Sequence, residues 1–358
     1  MKLLVLGANS QLGTALTRLL QAQAVDFQAL DTSELNLLKQ SDVVKAVSRI
    51  SPSQILNVAT YSNLEKVEID PDAARECDIV NTRGVSTLAE VCKHLNLPLL
   101  HHSSSFVFDG QKVHPYTEED ETNPVCRYGM SKWYGERAIR DALPLHVILR
   151  TDMIFSRERP NFFAAHIDAC KRNKGKLEVM NHRFSPTPAS DIARVLLAIA
   201  RQVDCAAEVW GTYHYCALQP MSQEHFVELF LHEAGKYDEE LAACLPALQI
   251  TKLPVQKPYV PNTVLSTQRI FETFGIKQRS RAGELTALLQ QLYGIEVPEP
   301  QLIAEEPESE SVKPRSRKPK AKGKAKSRAR NSGKNGVKKA SSSPPARKGA
   351  VQKESPQS

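Results

Sequence analysis

The chain has 358 residues, 41% of them hydrophobic and 24% charged, long enough to bury a full core and to form about two domains. No run of some 18 apolar residues occurs, which argues against a membrane span. The net charge of +7 is unevenly spread: Lys313 to Ser358 holds sixteen Lys/Arg and one Glu, leaving the preceding chain near −8, so the overall basicity is no argument for nucleic-acid binding by the body.

Met1 to Gly7 is apolar too briefly for a signal peptide and reads as a buried first strand. Gly7-Ala8-Asn9-Ser10-Gln11-Leu12-Gly13 follows, and Thr14 to Gln21 then has helical spacing. Strand, glycine turn and helix form the context of a dinucleotide fingerprint, with Ser10 at the middle glycine position. The small residues let backbone approach a pyrophosphate seated on the helix N-terminus.

Phe27 to Leu30 predicts the next strand, ending at Asp31, about 18 residues after Gly13. An acidic side chain there can accept from an adenosine ribose hydroxyl; the alternative is a residue that starts the turn before Thr32-Ser33-Glu34. Val43 to Ile50 predicts a helix, and Gln54 to Ala59 a buried strand running into Thr60-Tyr61-Ser62. Ala73 to Leu95 predicts one long helix carrying Asn81. Pro98 to Ser105 predicts a strand whose end carries three hydroxyls, and Leu145 to Arg150 another.

Between those two strands lies Arg127-Tyr128-Gly129-Met130-Ser131-Lys132-Trp133-Tyr134-Gly135-Glu136. Tyr128 and Lys132 are four apart, one above the other on a helix face. An ammonium beside a phenol stabilises the phenolate, so the pair suits proton transfer. A solvated helix face carrying an unrelated Tyr and Lys is the competing reading of the spacing alone.

Asn161 to Lys176, and the chain from Gly211 onward, predict a smaller substrate lobe, with a helix over Ser222 to Gly235 capped by Ser222 and a last helix over Arg281 to Tyr293. His146, His166 and His214 have no partners at metal-ligand spacing and read as packing or surface residues, and no metal is expected. Seven scattered cysteines without a Cys-x-x-Cys predict a reducing, cytoplasmic setting. From Glu299 on, few apolar groups and many like charges predict a disordered basic tail. Such a tail either binds nucleic acid or other polyanions non-specifically or only solubilises the protein.

The alternation of strands and helices predicts an α/β fold, a Rossmann-like doubly wound parallel sheet. The expected division is a dinucleotide domain over 1–160, rejoined by 185–204, a lobe from 161–184 and 205–297, and the tail over 298–358.

Taken together, Gly7 to Gly13, Asn57 to Glu68, Ser103 to Gly110, Tyr128 to Glu136, Arg150 to Phe155, Asn161-Phe162, Ser185-Pro186-Thr187 and Pro261-Asn262 to Leu265 resemble an extended short-chain dehydrogenase/reductase of the dTDP-4-dehydrorhamnose reductase family. The resemblance implies NAD(P)H as cofactor, a nucleotide-linked 4-keto-deoxysugar as substrate and a place in dTDP-rhamnose biosynthesis. It implies Tyr128 as proton donor, Lys132 on the nicotinamide ribose and lowering the tyrosine pKa, and Ser104 polarising the carbonyl. Gly7, Ser10, Gln11, Leu12, Gly13, Asp31, Ala59, Thr60 and Tyr61, with Tyr128 and Lys132, would line the cofactor, and Ser104, Ser105 and Met153 the sugar. Ser105 and Phe106 replace a family Asp and Tyr, Met153 a family Trp, and Asn181-His182-Arg183 the usual approach to the Ser-Pro-Thr turn, so a changed sugar specificity is expected. The rival is a catalytically silent dinucleotide- or sugar-nucleotide-binding regulatory subunit, as the methionine adenosyltransferase regulatory subunit is. Monomer and homodimer are both open.

Overall fold

The computed structural model describes residues 1–31 and 33–296; the tail expected over 298–358 lies outside the described residues. The elements run β1 (Lys2–Leu6), α1 (Gln11–Ala22), β2 (Asp26–Leu30), α2 (Gln40–Ile50), β3 (Gln54–Asn57), α3 (Leu64–Ile69), α4 (Pro71–Asp78), a π turn (Ile79–Arg83), α5 (Gly84–Leu95), β4 (Leu99–Ser104), a 3₁₀ turn (Ser105–Val107), α6 (Arg127–Ala142) and β5 (His146–Thr151). Then come β6 (Ile154–Phe155), α7 (Asn161–Arg172), β7 (Lys176–Met180), β8 (Arg183–Phe184), β9 (Thr187–Pro188), α8 (Ala189–Asp204), β10 (Gly211–Tyr215), β11 (Met221–Ser222), α9 (Gln223–Ala234), α10 (Glu239–Cys244), a 3₁₀ turn (Leu245–Ala247), β12 (Gln249–Leu253), α11 (Gln268–Phe274) and α12 (Ala282–Leu292).

Six strands form one parallel sheet in the order β10-β5-β4-β3-β1-β2. β1 is apolar and buried from Leu3 to Leu6 because it is covered on both faces, as parallel strands are. Its side chains alternate: Leu3 and Val5 join Leu56, Val147 and Leu149 against α1 and α8. Leu4 and Leu6 join Ile55, Leu99 and Ile148 against α2, α5 and Ile139 of α6. The chain order reverses between β1 and β3, which opens the crevice at the strand C-termini where such sheets take ligands.

Two expectations need correction. Gly211–Tyr215, assigned from the sequence to the smaller lobe, is the edge strand of the main sheet, paired in parallel with β5 from Gly211↔Val147 to Tyr215↔Thr151. Its Thr-Tyr-His-Tyr composition lacks the aliphatic run by which the other strands announce themselves. The long helix expected over Ala73 to Leu95 is interrupted by the π turn that carries Asn81.

The smaller lobe has its own core, in which Phe163 of α7, Phe226 and Phe230 of α9 and Leu288 of α12 pack with Leu177 and Val179 of β7. Ser222 caps α9 by accepting from the His225 N–H. Among the described residues no helix is long and apolar enough to cross a membrane, and no cluster of side chains could hold a metal ion.

Candidate functional site

At the β1–α1 turn the backbone leaves no room for side chains. Gly7 has φ +88°, and a Cβ added there would stand 2.4 Å from Ala59 Cα; one on Gly13 would stand 2.1 Å from the Gly7 carbonyl oxygen. Ser10 does what a third glycine could not: its Oγ caps α1 by accepting from the Gly13 N–H at 2.9 Å and donates to the Val58 carbonyl at 3.3 Å. Among the described residues the N–H groups of Gln11 and Leu12 have no partner. Two free donors at the positive end of a 12-residue helix fit an anionic pyrophosphate.

Asp31 stands at the end of β2, where its Oδ2 accepts from Asn9 Nδ2 at 2.9 Å. Beside it is a crevice lined by Gly7, Leu35, Leu37 and Ala59. Cradle, helix end and carboxylate lie along one sheet edge, so the residues present fit a dinucleotide.

α6 begins at Cys126, whose Sγ accepts from the Gly129 N–H at 3.3 Å. Two glycines let the helix sit close: a Cβ on Gly129 would stand 2.2 Å from the Phe106 carbonyl oxygen, and one on Gly135 2.4 Å from that of Asn81. This places Tyr128, 6% exposed, with its hydroxyl facing Ser104 and Thr60 at the ends of β4 and β3. Burial pushes the Tyr128 pKa up to about 12, and the Ser104 and Thr60 hydroxyls pull against it. Phe106 meets its ring edge to face at 5.9 Å.

Lys132 is anchored to the neighbouring strand β4. It is fully buried, and its Nζ donates to the His102 carbonyl at 2.8 Å. Burial brings Lys132 itself down to about 8, with Glu136 pulling the other way.

Behind Lys132 lies a buried ionic network that the sequence reading quoted without a role. Glu136, fully buried, accepts from Ser103 Oγ at 2.6 Å, from Arg150 Nε at 2.8 Å and NH2 at 2.6 Å, and from Arg140 NH1 at 2.8 Å. Burial alone would raise its pKa; the Arg150 charge, helped by these hydrogen bonds, holds it at about 2. His214, read as a packing residue, is buried at 3.3 Å from Arg150 NH1.

At the other side of Tyr128 is the end expected to hold the sugar. Ser105 is fully buried, and its Oγ donates to Asp152 Oδ1 at 3.1 Å. Asp152 Oδ2 accepts from the Ser185 N–H at 2.6 Å. Burial pushes the Asp152 carboxyl up to about 7, opposed by its hydrogen bonds, that from the Ser185 N–H foremost. Met153 is half-buried against the core of the smaller lobe.

The structure thus gathers Ser104, Tyr128 and Thr60 at one point, Lys132 one helical turn from Tyr128, and Gly7 to Gly13 with Asp31 at the neighbouring strand ends. Thr60, expected only on the cofactor, also faces the tyrosine hydroxyl. Two residues were missed. Asn81 donates through Nδ2 to the Tyr61 carbonyl and to Ser131 Oγ, both at 3.0 Å, and accepts from the Tyr61 N–H at 2.9 Å, clamping the 59–61 loop to α6. A lone amide next to the apolar pair Ile79-Val80 was its only signal. Asp152 had one too: a carboxylate two residues after Arg150, at a strand end facing three serines.

Comparison with known proteins places these features. The family model described as "RmlD substrate binding domain" matches residues 1–293. A dTDP-4-dehydrorhamnose reductase of Aggregatibacter actinomycetemcomitans is 32% identical over 280 residues, covering 77% of this chain and 94% of that protein. The crystal structure of a dTDP-4-dehydrorhamnose reductase from Clostridium acetobutylicum superposes with a TM-score of 0.69 at 24% identity, covering 82% of this chain and 99% of that one. One from Bacillus anthracis, in complex with NADP, gives 0.65 at 22% identity, covering 81% and 98%.

Proposed function

The chain belongs to the RmlD substrate binding domain family, and from that membership we propose that it is an NAD(P)H-dependent oxidoreductase that reduces the keto group of a nucleotide-linked 4-keto-deoxysugar in the cytoplasm. The observation that carries the proposal is the buried Tyr128 hydroxyl facing Ser104 at the sheet's C-terminal edge, next to a dinucleotide cradle. In this reading Gln11 and Leu12 hold the pyrophosphate, Asp31 the adenosine ribose and Lys132 the nicotinamide ribose. The nicotinamide, when bound, supplies hydride to the carbonyl carbon.

Ser104 and Tyr128 donate to the carbonyl oxygen, and Tyr128 gives up its proton as charge develops there. A proton donor must be protonated before the reaction. With its pKa at about 12, Tyr128 is so at any physiological pH. A regulatory binding subunit is the second reading, favoured by the altered substrate end at Ser105, Phe106 and Met153.

Following NAD(P)H absorbance across a panel of nucleotide-linked keto-sugars tests both readings. Tyr128→Phe should lower kcat by about two to four orders of magnitude with cofactor affinity nearly intact. Unchanged turnover removes the assigned role, and a wild type that binds dinucleotide tightly but reduces nothing selects the regulatory subunit.

Partners in the same reading are the nucleotide sugar, a second copy of the chain in a homodimer, and polyanions met by Lys313 to Ser358. Light scattering tests the dimer. Cutting the chain at 298 should abolish a weak, salt-sensitive binding to nucleic acid without lowering the melting temperature. Salt-insensitive, sequence-specific binding would contradict a non-specific tail.

A further inference from the structure

The pairing of β4 with β5 runs Ser103↔Arg150 and Ser104↔Thr151, so the next residues, Ser105 and Asp152, come opposite each other just past the strand ends. There the Asp152 carboxyl bridges two segments. One oxygen takes the Ser105 hydroxyl and the other the Ser185 N–H. Both are donors, and among the described residues no Lys, Arg or His forms an ion pair with it. A set of donors without an acceptor or a cation orients a carboxylate by dipoles alone.

Both bridged segments lead to the reaction centre. Ser105 opens the 3₁₀ turn that Ser104 caps by accepting from the Phe106 N–H at 3.3 Å, and Ser104 is the hydroxyl that faces Tyr128. Ser185 begins the crossing from the smaller lobe to the sheet. Thr187 continues it, giving its N–H to the Met153 carbonyl at 2.8 Å and its hydroxyl to the Ser185 carbonyl at 2.9 Å. If the carboxyl is lost, Ser105 is free to turn, and the 185–187 segment keeps only its Thr187 pairing beyond the strand end.

Resting on the reductase reading above, we infer that Asp152 is a positioning residue for the reaction: its carboxyl, anchored to Ser105 and to the Ser185 backbone, sets the Ser104 hydroxyl against Tyr128 and pins the 185–187 segment across the substrate end. The carboxyl missing at 105 is thereby supplied from the neighbouring strand. Asp152 belongs to the substrate end, apart from the Gly7–Gly13 cradle and Asp31 that would hold the adenosine and pyrophosphate.

Three variants test this: Asp152→Ser, the transposed pair Ser105→Asp/Asp152→Ser, and Asp152→Asn, which keeps the size of the side chain and an acceptor for the Ser185 N–H. Two readouts are taken on the full chain loaded with NADPH: kcat and KM on the best keto-sugar of the panel, and calorimetric Kd for dTDP-glucose, which needs no turnover. A misplaced hydroxyl should lower kcat about 10²-fold in Asp152→Ser. The dTDP-glucose Kd should rise about tenfold, one extra interaction lost, with NADPH affinity unchanged. The transposed pair should recover most of both losses, which a merely structural residue would not do.

Should Asp152→Ser fail to fold, Asp152→Asn takes its place, and a kcat within about twofold of wild type in that variant overturns the inference. So does a transposed pair no better than the single change. A wild type that binds dTDP-glucose but reduces no sugar refutes the reductase reading alone, since weaker binding in Asp152→Ser still upholds the positioning of the 185–187 segment. A wild type that neither binds nor reduces refutes both.

Discussion

Glu136 and Asp152 are buried carboxyls at adjoining stations of the β4–β5 pair, and each accepts a serine hydroxyl, from Ser103 and Ser105 respectively. Glu136 has two arginines and is held at about 2; Asp152 has only dipoles and is pushed up to about 7. Burial penalises both anions. What separates them is the guanidinium of Arg150, whose fork meets both Glu136 oxygens. A buried carboxylate gripped by a guanidinium belongs to the scaffold, whereas one left among dipoles stays close to exchanging its proton and suits a site. Between the two regions stand Tyr128 and Lys132, backed by the first and opening toward the second.

The comparison can be broken most forcefully at Glu136. Glu136→Ala leaves Arg150 buried without its partner and should cost about 3–5 kcal/mol, read as a lower urea midpoint with an unchanged slope. A loss below about 1 kcal/mol would place this network with ordinary surface pairs.

The pH dependence sharpens the contrast, because the two carboxyls act in opposite senses. Glu136 has a folded pKa below its usual value of 4.5, so its contribution is complete above about pH 4.5 and is lost as pH falls toward 2. Asp152 has a folded pKa raised from 3.8 to about 7, so its contribution is complete below about pH 4 and is lost as pH rises through 7. Asp152→Asn removes that second slope. Relative to this variant, wild type should lose up to about 4 kcal/mol between pH 4 and pH 7–8, seen in urea unfolding at each pH. Parallel curves would show that Asp152 is no more strained than an exposed aspartate.

The smallest effect belongs to Arg140, which is 35% exposed and adds a third nitrogen to an already paired Glu136. Arg140→Ala should cost under about 1 kcal/mol and fade further in salt.

Much of the fold was legible because its strands are short aliphatic runs with glycine or polar residues at their ends, as at Leu3 to Gly7 and Gln54 to Thr60. The edge strand Gly211–Tyr215 was not, since an edge strand built of Thr, Tyr and His carries no such run. Spacing put Tyr128 and Lys132 on one face, and the fold keeps them there. Spacing could not show where the lysine would bond: the His102 carbonyl that receives it lies 30 residues earlier and reaches it only through sheet packing. Asp152 and Asn81 escaped for the same reason, as their partners at 105, 185, 61 and 131 are distant in sequence.

The π turn over Ile79–Arg83 has a consequence for chain length. An α-helix advances about 100° per residue, so a residue inserted in a regular helix would rotate everything beyond it. A π turn absorbs one surplus residue locally, and the helices on either side keep their faces: Ala73 and Cys77 inward before it, Val85, Leu88 and Cys92 inward after it. A chain one residue shorter here would therefore fold with both flanks in phase and lose only the turn that aims Asn81 at the 59–61 loop. In an alignment, a single gap within these five positions marks the loss of that clamp as surely as a change of Asn81 itself.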